Sequence, residues 1–187
     1  MTNELSLAQK CQMVGRMLRV QPTAEVLQAF VEALPEYGPA EPEAIEQDYL
    51  RLFVGLGMPL APPWESAWAN DARLLFQRET LDVRYWYRSA GLQLASLHSE
   101  PDDHIGYELE FIGLLLERGD AETAARFAHE HPMAWANRWA AAVSANARAP
   151  FYRQVSAAAL RLLESVPNRK FVNESEDVPS THFPQGC

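Results

Sequence analysis

The sequence predicts an all-α protein that folds as a single compact helical bundle. Apolar residues recur at helical spacing along most of the chain, and no segment shows the alternating pattern of a β-strand. The predicted connections between helices are short, which favours a bundle in which consecutive helices pack together. A chain of 187 residues suits one domain, which we place at residues 1–166.

Three helices are expected in the first part of the chain, over residues 5–20, from Pro22 to about residue 34, and over about 42–54. Pro22 suits the first position of a helix, where its missing backbone N–H costs no hydrogen bond. Residues 35–42 are expected to form a turn region. The apolar positions expected to face the core are Leu7, Cys11, Val14, Leu18, Val26, Leu27, Phe30, Leu34, Ile45, Tyr49, Leu52 and Phe53.

The segment LFVGLGMPLAPPWESAW, residues 52–68, interrupts this pattern. It is apolar, but its three prolines oppose a continuous helix, so we predict a rigid loop. Pro62 and Pro63 restrict the backbone beside Trp64 and would hold that side chain in place at a low entropic cost. Two interpretations stay open: the loop presents Trp64 and Trp68 to a bound peptide, or it plugs one end of the bundle.

Glycine and proline mark the ends of the next predicted helices. Residues 66–91 are expected to form one or two helices that end near Gly91 in a left-handed C-cap. Pro101 is expected to open the following helix, with Asp102 and Asp103 complementing its N-terminal dipole. The core-facing residues of that helix are predicted to be Ile105, Leu109, Ile112 and Leu116.

The C-terminal part predicts three more helices and a tail. Gly119 is expected to end the preceding helix, and Asp120 to cap a helix over residues 120–131. A second helix is predicted over residues 132–147, and a third follows it. The buried face of the third is predicted to comprise Phe151, Val155, Ala159, Leu162 and Val166. Residues 167–187 have no periodicity and many turn-forming residues, so we predict a disordered or loosely docked tail.

Charge and cysteine content argue against several classes of function. The net charge of −9 argues against a nucleic-acid-binding protein, which needs clusters of basic residues, and it favours a cationic partner. The sequence contains no run of about 18 apolar residues, so no membrane span is predicted. Cys11 and Cys187 lie at opposite ends of the chain, so they form neither a metal-binding motif nor a disulfide framework. Together with the lack of a leader pattern, this predicts a cytoplasmic protein.

One polar cluster, HSEPDDH at residues 98–104, carries most of the candidate chemistry. Its carboxylates and imidazoles are possible metal ligands, but acidic residues at the start of a helix are ordinary capping groups. A third interpretation is that Asp103 and His104 line a groove for a cationic ligand. The sequence has no phosphate-binding loop, nucleophile elbow or spaced catalytic triad. Three tryptophans in helical patterns are expected in the core, namely Trp86, Trp135 and Trp139.

Three segments, taken in order, resemble the TorD/DmsD/NarJ family of molybdoenzyme maturation chaperones, and most closely its TorD/DmsD branch. They are YLRLFVGLGMPLAPPWESAW, SEPDDHIGYELEFIGLLLE and PFYRQVSAAAL, and the similarity covers about residues 45–165. The first two motifs are short, but their order and their separation of about forty residues make the pair specific. The resemblance implies an all-helical, TorD-like fold and a protein that is not an enzyme.

The resemblance also implies the partners of this protein. Such chaperones bind the twin-arginine signal peptide of a molybdoenzyme of the DMSO- or TMAO-reductase type and hold the apo-enzyme in the cytoplasm until its cofactor is loaded. It implies no required cofactor, weak binding of guanine nucleotides, and a monomer or a domain-swapped homodimer. It implies neither a nucleic-acid partner nor a metal site.

Carried onto this sequence, the family's motifs assign peptide binding to one set of residues. The set comprises Tyr49, Leu52, Phe53, Pro62, Pro63, Trp64, Glu65, Ser66, Trp68, Glu100, Pro101, Asp103 and His104. A twin-arginine signal carries two arginines and then an apolar segment. On this interpretation Trp64 and Trp68 supply an apolar wall for that segment. The position of Glu65 varies within the family, where other members have glycine.

The charged members of this set are expected to recognise the arginines. Asp103, with Glu65 or Asp102, would pair with guanidinium groups, which bind carboxylates in a bidentate manner. His104 would orient Asp103 or bind the peptide backbone, with a pH-sensitive charge if it is exposed. Two alternatives stay open: a small helical hydrolase or nucleotide-processing enzyme that uses Asp103 and His104, and a helical scaffold whose Trp64-bearing loop is a subunit contact.

Overall fold

The computed structural model describes residues 4–38, 41–55, 57–69, 71–94 and 100–167, and within these ranges it confirms the all-α class. The only β-type pairing among them is a one-residue antiparallel bridge between Trp64 and His104. A 3₁₀ turn (Pro35–Tyr37) follows the second helix, and a π-helical turn (Leu50–Val54) continues the third. The α-helices are α1 (Leu7–Arg19), α2 (Ala24–Ala33), α3 (Pro42–Tyr49), α4 (Ser66–Ala69), α5 (Arg78–Ser89), α6 (Ile105–Glu117), α7 (Ala121–Glu130), α8 (Pro132–Asn146) and α9 (Pro150–Ser165).

The centre of the bundle is the close packing of α1 against α6, with α9 on another side of α1. Small residues let the two backbones approach one another. A Cβ built on Gly15 would lie 2.5 Å from the carbonyl oxygen of Gly106, and one on Gly113 would lie 2.7 Å from that of Ala8. No side chain fits in those gaps, so these glycines fix how deeply α1 sits against α6.

Most of the predicted core positions are buried. Trp135 and Trp139 are almost fully buried, whereas Trp86 packs against the rim of the core and stays partly exposed. Burial raises the pKa of the Cys11 thiol to about 12, which fits a core residue with no reactive role. Predicted core residues that are only partly buried are Leu7, Val26, Tyr49, Leu116 and Leu162.

Several predicted helix ends are confirmed, and two predicted starts are wrong. Gly91 and Gly119 adopt positive φ angles of 75° and 78°, and the side chain of Asp120 accepts a hydrogen bond from the backbone N–H of Thr123. Pro22 does not open α2, because Thr23 is the N-cap and places Pro22 outside the helix. Thr23 can accept from a free backbone N–H with its hydroxyl, which Pro22 cannot.

The predicted start of α6 at Pro101 is also wrong. The helix begins at Ile105, and His104 is its N-cap, with extended backbone angles and an Nδ1 atom that accepts from the N–H of Gly106 at 2.9 Å. Asp102 and Asp103 therefore lie outside the first turn and do not serve its dipole. The helix starts late because the preceding residues pair with the proline-rich segment.

Two segments that carry predictions lie outside the described residues. The predicted tail lies, beyond Pro167, outside the described residues, so the boundary at residue 166 stays a prediction. Residues 95–99, which include the first part of the HSEPDDH cluster, lie outside them as well. None of the described helices combines the length and the apolar character needed to cross a membrane.

Candidate peptide-binding site

The π-helical turn after α3 divides its apolar residues between two sides. Leu52 and Phe53 point into the core, at 0% and 2% exposure, while Leu50 and Val54 face solvent at 46% and 49%. The turn closes with a 2.6 Å hydrogen bond from the N–H of Gly55 to the carbonyl oxygen of Leu50. The wide π-helical turn thus exposes two large apolar side chains at the entry to the loop.

Residues 55–65, here called the proline loop, also have an inner and an outer face. Pro59, Ala61, Pro62 and Pro63 are buried, and the N–H of Ala61 donates to the carbonyl oxygen of Leu52 at 2.9 Å. The outer face presents two large apolar side chains, which are Met58 at 53% exposure and Leu60 at 41%. The inner face of the loop is therefore packed against the bundle, and its outer face offers apolar surface. Presentation of Trp64 and Trp68 to a bound peptide stays a prediction.

Exposed apolar side chains are concentrated in the part of the sequence that contains this loop. Nine large hydrophobic residues are exposed in the part of the chain that the structure describes, and eight of them lie between residues 50 and 85. They are Leu50, Val54, Met58, Leu60, Leu74, Phe76, Leu81 and Tyr85, and the ninth is Met133 on α8. Contiguous exposed apolar patches are typical of interaction surfaces, so this segment is the candidate for such a surface.

The proline loop is docked on residues 100–105. The N–H of Glu65 donates to the carbonyl oxygen of Asp103 at 2.9 Å, and the N–H of Ile105 donates to that of Pro63 at 2.8 Å. The partly buried Trp64 ring meets the His104 ring edge to face, with 5.7 Å between centroids. The two motifs that lie about forty residues apart in sequence therefore form one unit in the fold.

Asp103 does not face solvent, contrary to the role predicted for it. Its side chain is fully buried. Its Oδ2 accepts from the backbone N–H of Ser66 at 2.7 Å, and its Oδ1 accepts from the Thr80 hydroxyl at 2.7 Å. Both carboxylate oxygens are thus engaged inside the protein, where they tie the loop and α4 to α5. Asp103 is not placed to receive an arginine of a ligand in this structure.

The other predicted arginine partners are engaged as well. Asp102 is buried and forms an ion pair with Arg84, with 2.7 Å between Arg84 Nη2 and Oδ1. Glu65 is buried and lies 2.9 Å from Nδ1 of His131. These carboxylates already have protein partners, so the prediction that Glu65 or Asp102 meets the arginines does not fit the structure.

Glu100 is the predicted carboxylate that keeps access to solvent. Its side chain is 32% exposed, and its Oε2 accepts from the Tyr107 hydroxyl at 3.1 Å. Partial burial raises the pKa of Glu100, while the Tyr107 hydrogen bond and the charge of Arg19 oppose that rise. A nearby positive charge stabilises the ionised form of a carboxylate that is partly desolvated, so Glu100 could bind a cationic partner favourably.

His104 serves the structure and is not a pH sensor. Burial, with a smaller effect from the charge of Arg19, lowers the pKa of His104 to about 3, so the ring stays neutral at physiological pH. Its Nδ1 accepts from the N–H of Gly106, so the ring proton lies on Nε2. The predicted pH-sensitive charge required exposure, and His104 is only 3% exposed.

The remaining predicted residues lie in the core or on the inner side of the proline loop, where they contact other parts of the protein. Tyr49 donates through its hydroxyl to the carbonyl oxygen of Arg19, and the Phe53 ring stacks on Trp139. The Trp68 indole N–H donates to the carbonyl oxygen of Pro62 at 2.8 Å. Ser66 and Pro101 are buried at the contact between the loop and residues 100–105. Direct contact with a ligand is therefore available to the partly exposed rings of Trp64 and Trp68 and to the outer face of the loop.

Sequence reasoning missed the groups that complete this site. Thr80 and Arg84 on α5 and His131 before α8 each satisfy a buried carboxylate. The sequence places each of these residues in or next to a predicted helix, but it does not show which carboxylate each one contacts. Among the residues described, no three His, Cys, Asp or Glu side chains are arranged to hold a metal ion.

Comparisons with known proteins point to one group. Residues 19–141 match the family model described as nitrate reductase delta subunit. The Tat proofreading chaperone DmsD of Salmonella paratyphi A is 32% identical over 111 residues, which cover 59% of this chain and 54% of that protein. The chaperone protein TorD of Aliivibrio salmonicida is 25% identical over 131 residues, covering 64% of this chain and 61% of that protein. The chain thus spans about half the length of the Salmonella DmsD relatives that it matches.

A solved structure shows the same fold. The crystal structure of a candidate redox enzyme maturation protein from Archaeoglobus fulgidus matches with a TM-score of 0.63 at 20% identity, covering 88% of this chain and 97% of that one. At this identity the likeness shows the fold alone, and it confirms the TorD-like helical bundle. The relatives that match by sequence are both named as chaperones. Because the family model covers well over half of the chain, including the proline loop and residues 100–105, the chain belongs to the nitrate reductase delta subunit family.

Proposed function

We propose that this protein is a cytoplasmic chaperone that binds the twin-arginine signal peptide of a molybdenum-cofactor oxidoreductase. In that role it would hold the apo form of the client and assist its maturation and cofactor loading before export. The observation that carries the proposal is the exposed apolar surface concentrated between residues 50 and 85. The names of the DmsD and TorD relatives support the same class of client.

The apolar surface suits the apolar segment of a signal peptide. Met58 and Leu60 lie on a loop whose other face is packed and hydrogen-bonded, so the backbone beneath them is held in place. Little ordering of the protein is then needed on binding. Burying about 600 Å² of apolar surface gives roughly 15 kcal/mol gross. Association and peptide ordering remove about 7 kcal/mol, which leaves an affinity near 1 μM. Such an affinity permits release of the client.

Recognition of the arginines is assigned to Glu100. Among the described residues, it is the member of the predicted carboxylate set that has exposed surface and no lysine or arginine in direct contact. It lies two residues before the buried Asp102, at the edge of the docked segment. A guanidinium group would replace the water on its exposed side. Because pairing requires the ionised carboxylate, peptide affinity should fall as the pH drops through the raised pKa of Glu100.

Replacing Glu100 with glutamine is expected to weaken binding of a twin-arginine peptide about tenfold at pH 7. The amide keeps the shape of the side chain and can still accept from Tyr107, but it cannot form a charge-assisted pair with arginine. Isothermal titration calorimetry measures the change. Glu122→Gln, which alters an exposed carboxylate on α7, is the matched control and should bind as the wild type does. Equal affinities of the Glu100→Gln and wild-type proteins would remove Glu100 from the site.

The enzyme alternative is not favoured by the geometry. Asp103 has both oxygens engaged, and the neutral His104 caps a helix. Neither group is positioned to accept a proton from a substrate. Weak guanine-nucleotide binding, and the choice between a monomer and a domain-swapped dimer, stay predictions that follow from the family resemblance.

A further inference from the structure

A set of buried polar atoms in and near the proline loop lacks hydrogen-bond partners. Among the described residues it includes the indole N–H groups of Trp64 and Trp135, the hydroxyl of Ser66 and both carboxyl oxygens of Glu108. Buried polar groups are nearly always paired, so an unpaired carboxyl group requires an explanation. Glu108 is fully buried on α6, one turn beyond His104.

The carboxyl group of Glu108 faces the carboxyl group of Glu65, the last residue of the proline loop. Glu65 Oε2 lies 2.9 Å from Nδ1 of His131, the N-cap residue of α8. One helical turn further along α8, the Trp135 indole N–H faces Glu108 without reaching hydrogen-bond geometry. Two acidic groups and one histidine therefore join the loop, α6 and α8 in a dry environment.

Two ionised carboxylates cannot face each other in such a place, because each only accepts hydrogen bonds and their charges repel. The proton between them belongs on Glu108. Glu65 Oε2 lies 2.9 Å from Nδ1 of His131, a ring nitrogen that can donate to it, whereas neither carboxyl oxygen of Glu108 has a hydrogen-bond partner. Among the described residues, the charged or titratable groups around Glu108 are Glu65 on the proline loop, Asp103 in residues 100–105 and Tyr87 on α5, while His131 at the start of α8 contacts Glu65. No lysine or arginine of the described residues acts on Glu108 to favour its ionised form.

We propose that Glu108 is a positioning residue that keeps the proline loop closed: as a neutral acid it donates a hydrogen bond to Glu65, which also accepts one from His131. Glu108 thus acts through Glu65 and touches no ligand. Burial, together with the charges of Glu65 and Asp103, raises the pKa of Glu108 well above its ordinary value of 4.5, consistent with a retained proton. The two hydrogen bonds that Glu65 accepts, from Glu108 and from His131, are here called the latch. An effect of the latch on signal-peptide binding rests on the proposed function, but the existence of the latch does not.

The test is the pH dependence of stability in the Glu108→Gln variant. The unfolded wild-type chain loses the Glu108 proton near pH 4.5, whereas the folded chain keeps it, so the acid makes folding less favourable as the pH rises. The glutamine amide donates the same hydrogen bond and cannot ionise. The folding constant of the variant relative to the wild type should therefore rise by up to about tenfold per pH unit between pH 5 and pH 7. Urea unfolding at a series of pH values measures this ratio.

A matched control separates this effect from a general change of charge. Glu117→Gln removes an exposed carboxyl group from the same helix, and its stability relative to the wild type should not depend on pH. A Glu108→Gln ratio that is equally flat would overturn the proposal. If the glutamine variant does not fold, infrared spectroscopy of the wild-type protein at pH 7 should show the carbonyl band of a protonated carboxylic acid. Absence of that band would overturn the proposal as well.

A second measurement tests the positioning role. In Glu108→Ala, Glu65 loses its donor from α6, and the backbone amides of Glu65 and Ser66 should exchange hydrogen at least tenfold faster than in the wild type. Glu108→Gln should restore slow exchange. Equal exchange in the two variants would contradict the latch. No signal peptide is present in either experiment, so failure of the latch is distinguishable from failure of the proposed function.

Discussion

Replacing Asp103 with alanine is expected to lower the free energy of unfolding by about 3–5 kcal/mol. The substitution removes two short hydrogen bonds to a buried carboxylate and leaves the Ser66 N–H and the Thr80 hydroxyl without an acceptor. The same change detaches the proline loop and α4 from α5. Urea denaturation, monitored by the fluorescence of the five tryptophans, measures the loss of unfolding free energy.

This outcome distinguishes a structural role of Asp103 from a ligand-binding role. Asp82→Ala, which removes an exposed carboxylate of α5 that pairs with Arg78 at the surface, is the control and should change stability by less than about 0.5 kcal/mol. An Asp103→Ala protein with wild-type stability and impaired peptide binding would return Asp103 to the site that the sequence assigned to it.

The double substitution of Met58 and Leu60 by serine is expected to weaken signal-peptide binding about 30-fold. Both side chains are exposed, so stability should change by less than about 1 kcal/mol in total. Each serine removes apolar surface that a bound peptide would cover, at a cost of about 1 kcal/mol per residue. Calorimetric titration of the folded variant with a twin-arginine peptide measures the effect.

The control for this prediction is Met133→Ser. Met133 has a similar exposure, 41%, but lies on α8 outside the segment between residues 50 and 85. Its replacement should change peptide affinity less than threefold. Should Met133→Ser weaken binding as strongly as the loop substitutions do, the peptide site is not centred on the proline loop.

The helical core could be predicted from the sequence because its pattern is local. Ile105, Leu109 and Ile112 recur at helical spacing, and all three are fully buried on the face of α6 that the spacing predicts. The turn residues were equally informative, since Gly91 and Gly119 adopt the positive φ angles that favour glycine. The packing of α1 on α6 through Gly15 and Gly106 could not be predicted, because it depends on two helices meeting.

The roles of the polar residues could not be predicted, because their partners are distant in sequence. Asp103 bonds to residues 23 and 37 positions earlier, and Glu65 meets His131 66 positions later. The sequence alone does not distinguish a carboxylate that binds a ligand from one that is hydrogen-bonded within the protein. The two motifs do meet in the fold, since Trp64 and His104 lie against each other. Most residues of the predicted set, however, hold the proline loop in place.

The most direct test of the proposed function is a calorimetric titration of the wild-type protein with two synthetic peptides. One carries a twin-arginine signal sequence, and the other has both arginines replaced by alanine. We predict binding near 1 μM for the first peptide and at least tenfold weaker binding for the second, because the apolar surface would still be used and the pairing with Glu100 would be lost. Equal affinities would contradict arginine recognition, and no binding of either peptide would contradict the proposed function.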